Sequence, residues 1–113
     1  MLTYTTDDGL SLSVDHDRFD CENYRTGHGR MSYRWTVDIG GTVATGDDLR
    51  SGTTVPESAP SLAEMLATLC SFLSAAAEGG ESADMFGAEI ADALAAVGSD
   101  RFALIGEDVW ADR

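Results

Sequence analysis

The first half of the chain alternates apolar and polar residues, which is the pattern of β-strands with one buried face. The alternation is clear over residues 2–6, 10–14 and 31–39, and a short fourth strand is expected over 42–49. Turn-forming residues separate these segments. The first half is therefore predicted to form a small antiparallel sheet of three to four strands.

The first hairpin has two candidate registers, and the apolar pattern selects one of them. A two-residue turn would place the apolar residues of its two strands on opposite faces. A three-residue loop at 7–9 pairs Tyr4 with Leu12 and Leu2 with Val14, so that all four share one face. The loop then ends in a glycine, which suits the left-handed conformation required there. We therefore expect the three-residue loop.

The second half carries helical patterns. Ser61 and Glu64 have the spacing of a capping box, and Gly79 and Gly80 are expected to end the helix that follows. A second helix is predicted from about 82 to 97 and is joined to the first by the glycine pair. The apolar stripes are Leu62, Met65, Leu66, Leu69, Phe72, Leu73 and Ala76 in the first helix and Phe86, Ile90, Ala93, Leu94 and Val97 in the second. Each stripe needs a surface to cover it.

The elements together predict an α+β domain, in which the small antiparallel sheet is covered by a C-terminal antiparallel helix pair. One domain is expected over 1–113, because the chain is too short for two. It is β-rich over 1–49, turn-rich over 50–60 and helical over 61–98. The C-terminal tail, 99–113, is expected to hold a last short strand or a packed loop.

The charge of the chain restricts its partners. It has 20 acidic residues and seven basic ones, all arginine, with a net charge of −13. Such a body is repelled by nucleic acid and by anionic membranes and is attracted to basic surfaces. No apolar run is long enough to span a bilayer, and the N-terminus lacks the pattern of a signal peptide, so the expected location is the cytoplasm. Acid excess without lysine also suits a protein that works in high salt.

The second predicted helix is the leading candidate for a binding surface. Glu81, Asp84, Glu89 and Asp92 fall within an arc of about 140°, opposite its apolar stripe. Carboxylates roughly 5–6 Å apart on a helix have a spacing comparable to that of phosphates along a nucleic-acid strand. Such a column could occupy the basic groove of a nucleic-acid-binding protein. The alternative is a solvated outer face.

The C-terminal tail supplies a second candidate. Trp110 is flanked by Glu107, Asp108 and Asp112. An exposed tryptophan with an acidic rim makes a good interface anchor. The alternative is a tryptophan that folds back onto the core.

Metal and catalytic sites are not predicted. The segment 15–22, with His28 nearby, has several potential ligands, but it lacks the spacing of calcium-binding loops and of structural zinc sites. It is interpreted as a polar loop between strands, with carboxylates paired to Arg18, Arg25 and Arg30. No nucleophile elbow or phosphate-binding glycine loop is present, and Cys70 is expected to be a core residue. We therefore expect neither enzymatic activity nor a cofactor.

Three functional hypotheses follow. In size, acidity and lack of catalytic motifs, the chain is similar to the small inhibitors, including DNA mimics and anti-CRISPR proteins, that phages and mobile elements use against defence proteins. The first hypothesis is a non-enzymatic protein-binding module that blocks a basic, nucleic-acid-binding surface. The second is a structural or assembly protein that forms a homodimer through Trp110 or through an exposed edge of the strand 31–39, with acidity serving solubility or salt tolerance. The third is a small metal-dependent enzyme that uses the segment 15–28.

Overall fold

Four strands form one antiparallel sheet in the order in which they occur along the chain. The computed structural model describes residues 1–111, apart from the side chain of Ser82. The strands are β1 (Leu2–Thr5), β2 (Leu10–Asn23), β3 (His28–Ile39) and β4 (Thr42–Arg50). The predicted sheet is confirmed, and it has four strands. The strand 31–39 lies within β3, which pairs with β2 and β4, so the prediction that it has an exposed edge is wrong.

The helices follow the sheet in sequence and cover one of its faces. They are α1 (Leu62–Ala77), a single turn α2 (Glu81–Asp84), α3 (Ala88–Val97) and α4 (Ser99–Ala111), and a short 3₁₀ turn (Pro56–Ser58) precedes them. In this layer α1 lies over β1 and β2, α3 lies over β4, and α4 packs along α1. The α+β class is therefore confirmed.

The first hairpin has the register that the apolar pattern predicts. Leu2 pairs with Val14, and Tyr4 pairs with Leu12. Gly9 adopts a φ of 94°, the conformation that a loop of this length requires at its last position. The shared apolar face of the two strands contributes Leu12 and Val14 to the core, where both are fully buried.

The strand β2 is longer than predicted. The segment 15–22, expected to be a polar loop, continues β2 and pairs with β3 as far as Asn23 and His28. Two register irregularities, after His16 and after Cys21, interrupt the ladder. Charged residues occupy most positions here, so the sequence shows no alternation of apolar and polar residues. Backbone pairing does not require a buried face, and the strand therefore continues. The prediction of a loop is wrong.

The second predicted helix is two helices. The chain turns at Met85, Phe86 and Gly87, and α3 begins after the turn. Gly87 has a φ of 84°, which lies outside helical geometry and is readily adopted by glycine. Phe86 meanwhile turns toward the sheet and packs against Trp35. The continuous helix is therefore a wrong prediction, because a single glycine and an inward-facing aromatic ring divide it.

The described part of the tail, 99–111, is neither a strand nor a loop; it is the helix α4. Phe102, Ile105 and Val109 recur at helical spacing and are buried. Gly106 faces α1, and a Cβ added there would lie 3.1 Å from the Cβ of Cys70. A glycine at this point therefore lets the two helices approach closely. The predicted core position of Cys70 is confirmed.

The start of α1 agrees with its sequence signal. The Ser61 hydroxyl accepts a hydrogen bond from the Glu64 N–H, and the Glu64 carboxylate accepts one from the Ser61 N–H, each at 3.2 Å. The helix ends before Gly79 and Gly80, as predicted. Its apolar stripe packs into the core with one exception, because Phe72 is 54% exposed.

Candidate protein-binding surface

The four acidic residues predicted on one helix lie on two separate short elements. Glu81 and Asp84 belong to α2, whereas Glu89 and Asp92 belong to α3. All four are exposed, and within the described part of the chain none of them forms an ion pair. The single column of carboxylates is thus corrected to two acidic groups on either side of a turn.

The turn between the two acidic groups carries apolar side chains. Met85 is 79% exposed, so its thioether side chain lies largely in solvent. Phe86 is half-buried and meets Trp35 edge-to-face, with ring centroids 5.8 Å apart. An exposed apolar side chain between unpaired carboxylates is a combination that the helical pattern did not predict.

A β-bulge positions Trp35 at this place. Tyr33 pairs with Leu49 and Trp35 pairs with Gly46, so one residue of β3 stands between these partners, whereas β4 has two. The indole of Trp35 lies across Gly46, where an added Cβ would come within 2.6 Å of the ring. Bulges commonly redirect a side chain in this way. Here the bulge leaves room for the indole over the β4 backbone.

A hydrogen bond holds the indole in this position. The Trp35 Nε1–H donates to the Asp48 Oδ1 at 2.9 Å. Since Asp48 belongs to the bulge, the same irregularity provides both the space for the ring and its acceptor. The aromatic ring and the carboxylate are therefore presented together at the β4 side of the sheet.

These residues form a groove, which we call the β4 groove. Its apolar end encloses about 300 Å³ and is lined by Trp35, Asp48, Leu49, Leu69, Phe72, Met85 and Phe86. A second section of about 460 Å³ continues along residues 43–48 of β4 and reaches Ile90 of α3. Asp47 and Asp48 belong to its lining, and no arginine does so among the described residues. The β4 groove thus has an apolar floor and an acidic border.

The second predicted site is divided by the geometry of α4. Trp110 is 48% exposed and lines a groove of about 510 Å³ between α1 and α4, together with Glu107 and Glu64. Asp108 lies on the other side of α4, where its carboxylate accepts a hydrogen bond from the Tyr4 hydroxyl at 3.2 Å. Asp112 lies outside the described residues. Of the predicted acidic rim, as far as the structure describes it, Glu107 is the member that lines this groove with Trp110.

The arginine-rich segment of β2 and β3 is largely neutralised by its own acids. Arg18 pairs with Asp20 at 3.3 Å, and Arg30 pairs with Glu22 at 3.2 Å. A further arginine, Arg34, lies within 4 Å of two β2 carboxylates. Among the residues that the structure describes, no three His, Cys, Asp or Glu side chains converge as metal ligands. The predicted pairing of its carboxylates is therefore confirmed for Arg18 and Arg30, whereas Arg25 forms no ion pair among the described residues.

One ion pair of the β1 side has no sequence signal. Arg101 donates to both carboxylate oxygens of Asp8, at 2.5 and 2.6 Å, and thus links the first hairpin loop to α4. This guanidinium, together with the Thr6 hydroxyl, holds the pKa of Asp8 well below its usual range. The two residues are 93 positions apart, and no local pattern relates them. Only the packing of α4 brings them together.

No protein-family model, curated protein or solved structure matches the chain. In the described range, no helix is both long enough and apolar enough to cross a membrane.

Proposed function

We propose that this chain is a small, non-enzymatic protein-binding module that docks on a basic, nucleic-acid-binding surface of a partner protein and blocks it. The observation that carries the proposal is the exposed Met85, which stands between two groups of unpaired carboxylates on α2 and α3. Apolar anchors surrounded by a polar rim are typical of protein interfaces.

The apolar residues argue for binding over a purely solvating role of the acids. Adaptation to high salt accounts for carboxylates on exposed positions, but it gives no reason for an exposed Met85 and Phe72 beside them. Carboxylates without ion-pair partners would accelerate association with a basic surface, and the association would be sensitive to salt. The likeness to phage and mobile-element inhibitors, in size and acidity, suggests a defence protein as the target.

The test is a charge reversal on α3 with a matched control elsewhere. Glu89→Arg/Asp92→Arg reverses two exposed carboxylates of the proposed surface. Glu57→Arg/Asp100→Arg makes the same change in net charge at exposed positions of the 3₁₀ turn and of α4. Each protein is used to capture partners from a host lysate, and each captured partner is then challenged with duplex DNA and with added salt.

The proposal requires a partner that both the wild type and the control retain, that the α3 variant loses, and that DNA displaces. A partner retained equally by all three proteins would refute it, and so would a partner that DNA does not displace. Failure to capture any partner from the cell that contains the natural target would refute it as well.

The alternative function is a structural or assembly protein that forms a homodimer. The observation that favours it is the half-exposed Trp110 beside the groove between α1 and α4. Such an apolar interface would survive high salt, whereas a charge-driven interface would not. Sedimentation in high salt distinguishes the two, because a dimer that Trp110→Ala dissociates would support assembly through this groove.

A further inference from the structure

The outer edge of β4 has no strand partner in the described chain. The sheet order places β3 on one side of β4, and no strand lies on the other. Asp47 and Asp48 form the bulge, so the regular part of this edge is the first five residues of the strand, 42–46. Free edges of this kind accept an added strand from another chain.

The hydrogen bonds of the sheet indicate which residues offer their backbone groups. Gly40 directly follows β3, and its N–H donates to the Gly9 carbonyl at 3.2 Å. At this position the backbone groups therefore face β2. Because the direction of the backbone groups alternates along a strand, those of Ile39 face β4. The backbone groups of its partner Thr42 therefore face β3, and so do those of Ala44 two residues later. Val43 and Thr45 therefore direct their N–H and C=O groups away from the sheet.

The β4 groove runs along this same edge. Val43 and Thr45 line its long section, and Trp35, Met85 and Phe86 are shared by both sections. A strand added to β4 would thus have the apolar floor of the groove beneath alternate side chains. Backbone pairing and an apolar contact are available together, as in other cases of strand addition.

The charges around the β4 groove select its occupant. Asp47 and Asp48 border it, and Asp84 and Glu89 flank the turn at Met85 in sequence. One cation, Arg34, lies beside Thr45 and Asp47, but it is already within 4 Å of two carboxylates of β2. A second copy of the chain would bring the same carboxylates to its own β4 edge, and like charges would oppose the pairing. A segment rich in arginine or lysine is complementary instead.

We propose that an extended, basic segment of the partner protein adds to β4 as a fifth strand and places a bulky apolar side chain on Trp35 and Met85. The inference rests on the proposed function for the basic nature of the partner. It adds the place and the manner of binding, which the acidic groups alone do not specify.

The probe for this proposal is a peptide of seven residues that alternates arginine and leucine. One control peptide replaces each arginine with glutamate, and another is N-methylated at alternate residues, which keeps the charge and removes the donors needed for pairing. Amide hydrogen exchange of the intact protein is followed by NMR. Saturating peptide should slow exchange at Val43 and Thr45 by about tenfold or more, while Ala44, already hydrogen-bonded to β3, should change little.

Variants of β4 separate strand addition from simple charge attraction. Val43→Pro removes an outward N–H, and proline is tolerated on an edge strand at such a position. It should weaken binding of the arginine–leucine peptide about tenfold, equivalent to about 1.4 kcal/mol. Val43→Thr keeps the N–H and should bind like the wild type. Met85→Ala should weaken binding through loss of the apolar contact.

The outcomes distinguish this inference from the proposed function. If Glu89→Arg/Asp92→Arg weakens peptide binding but exchange at Val43 and Thr45 does not change, strand addition is wrong and charge-driven binding survives. If the two amides are protected and the α3 variant binds the peptide as tightly as the wild type, strand addition stands and the α3 surface is wrong. Equal binding of the N-methylated peptide, or no binding of the arginine–leucine peptide, overturns the inference. Should Val43→Pro fail to fold, the exchange pattern of the wild type decides.

Discussion

The two edges of the sheet use their charges differently. At the β1 edge, Asp8 is paired with Arg101 and Asp108 accepts a hydrogen bond from Tyr4, so carboxylates there tie the sheet to α4. At the β4 edge, the acids of α2 and α3 have no ion-pair partners among the described residues. The carboxylates therefore support the fold at one edge and lack ion pairs at the other.

The apolar residues follow the same division. Beside β1, Phe102 and Val109 of α4 are buried against the rest of the core. Beside β4, Met85 and Phe72 stay exposed around the β4 groove. Both edges thus have a helix that contributes to the core, but α4 closes the core at the β1 edge, whereas α3 buries Leu94 and leaves a groove beside β4.

The largest effect is expected from removing the anchor of α4. Phe102 is completely buried, so Phe102→Ala should lower the free energy of unfolding by about 3–5 kcal/mol through lost contacts and a residual cavity. Leu104→Ala is the control on the same helix, because Leu104 is 61% exposed, and it should change stability by less than about 0.5 kcal/mol. Urea denaturation measures both. Equal losses in the two variants would contradict the packing of α4.

A smaller effect is expected at the β4 edge, where the bulge is crowded. Gly46→Ala would place a Cβ within 2.6 Å of the Trp35 ring, and the indole would have to move. Overpacking of this kind typically costs about 1–3 kcal/mol. Gly52→Ala is the control, since open space surrounds the added Cβ there. Thermal unfolding of both variants checks the prediction, and an unchanged midpoint for Gly46→Ala would show that the ring does not rest on Gly46.

The ion pair of the β1 edge should make stability depend on pH. The pKa of Asp8 is lowered from its ordinary value of 3.8 by Arg101, so its contribution is fully present above that value and is lost as the pH falls through the lower, folded-state pKa. Asp8→Asn should therefore be less stable than the wild type at neutral pH, and the difference should shrink on acidification. Unfolding measured between neutral pH and pH 2 tests this, and high salt should reduce the difference. A gap between the two proteins that does not vary with pH would contradict the role of the carboxylate.

The smallest effect is expected on reversing the charges of α3. Because Glu89 and Asp92 are exposed and have no ion-pair partner in the described chain, Glu89→Arg/Asp92→Arg should change the free energy of unfolding by less than about 0.5 kcal/mol. Chemical denaturation in parallel with Asp8→Asn at neutral pH provides the comparison. A large loss of stability in the α3 variant would show that these acids support the fold and would remove the contrast between the two edges.

The strands, apart from the charged half of β2, and α1 could be predicted because their signals are local. The pairing of Tyr4 with Leu12 follows from the apolar pattern and loop length, and the capping box at Ser61 and Glu64 is contained within four residues. Where one face of a strand or helix is buried and the other is exposed, apolar residues recur with the period of that element, and the sequence then predicts the element directly. The α+β class could therefore be derived without a relative.

The features that could not be predicted depend on distant contacts. Gly106 masks the helical character of α4 until its close approach to Cys70 is known, and Gly87 divides the predicted second helix where Phe86 reaches Trp35. The acidic residues and Trp110 could be predicted as candidates from the sequence. Which of the acidic residues form ion pairs depends on the fold. The β4 groove itself depends on a bulge that no local sequence pattern predicts.

Trp35 is also a fluorophore, and its position makes it sensitive to the β4 groove. The chain has two tryptophans, and the other, Trp110, lines the groove between α1 and α4. In Trp110→Phe, the remaining indole forms part of the floor of the β4 groove and shares its N–H with Asp48. The protein thus carries an intrinsic fluorophore in the groove where strand addition is proposed, and a ligand that excludes water there would change its emission without any label.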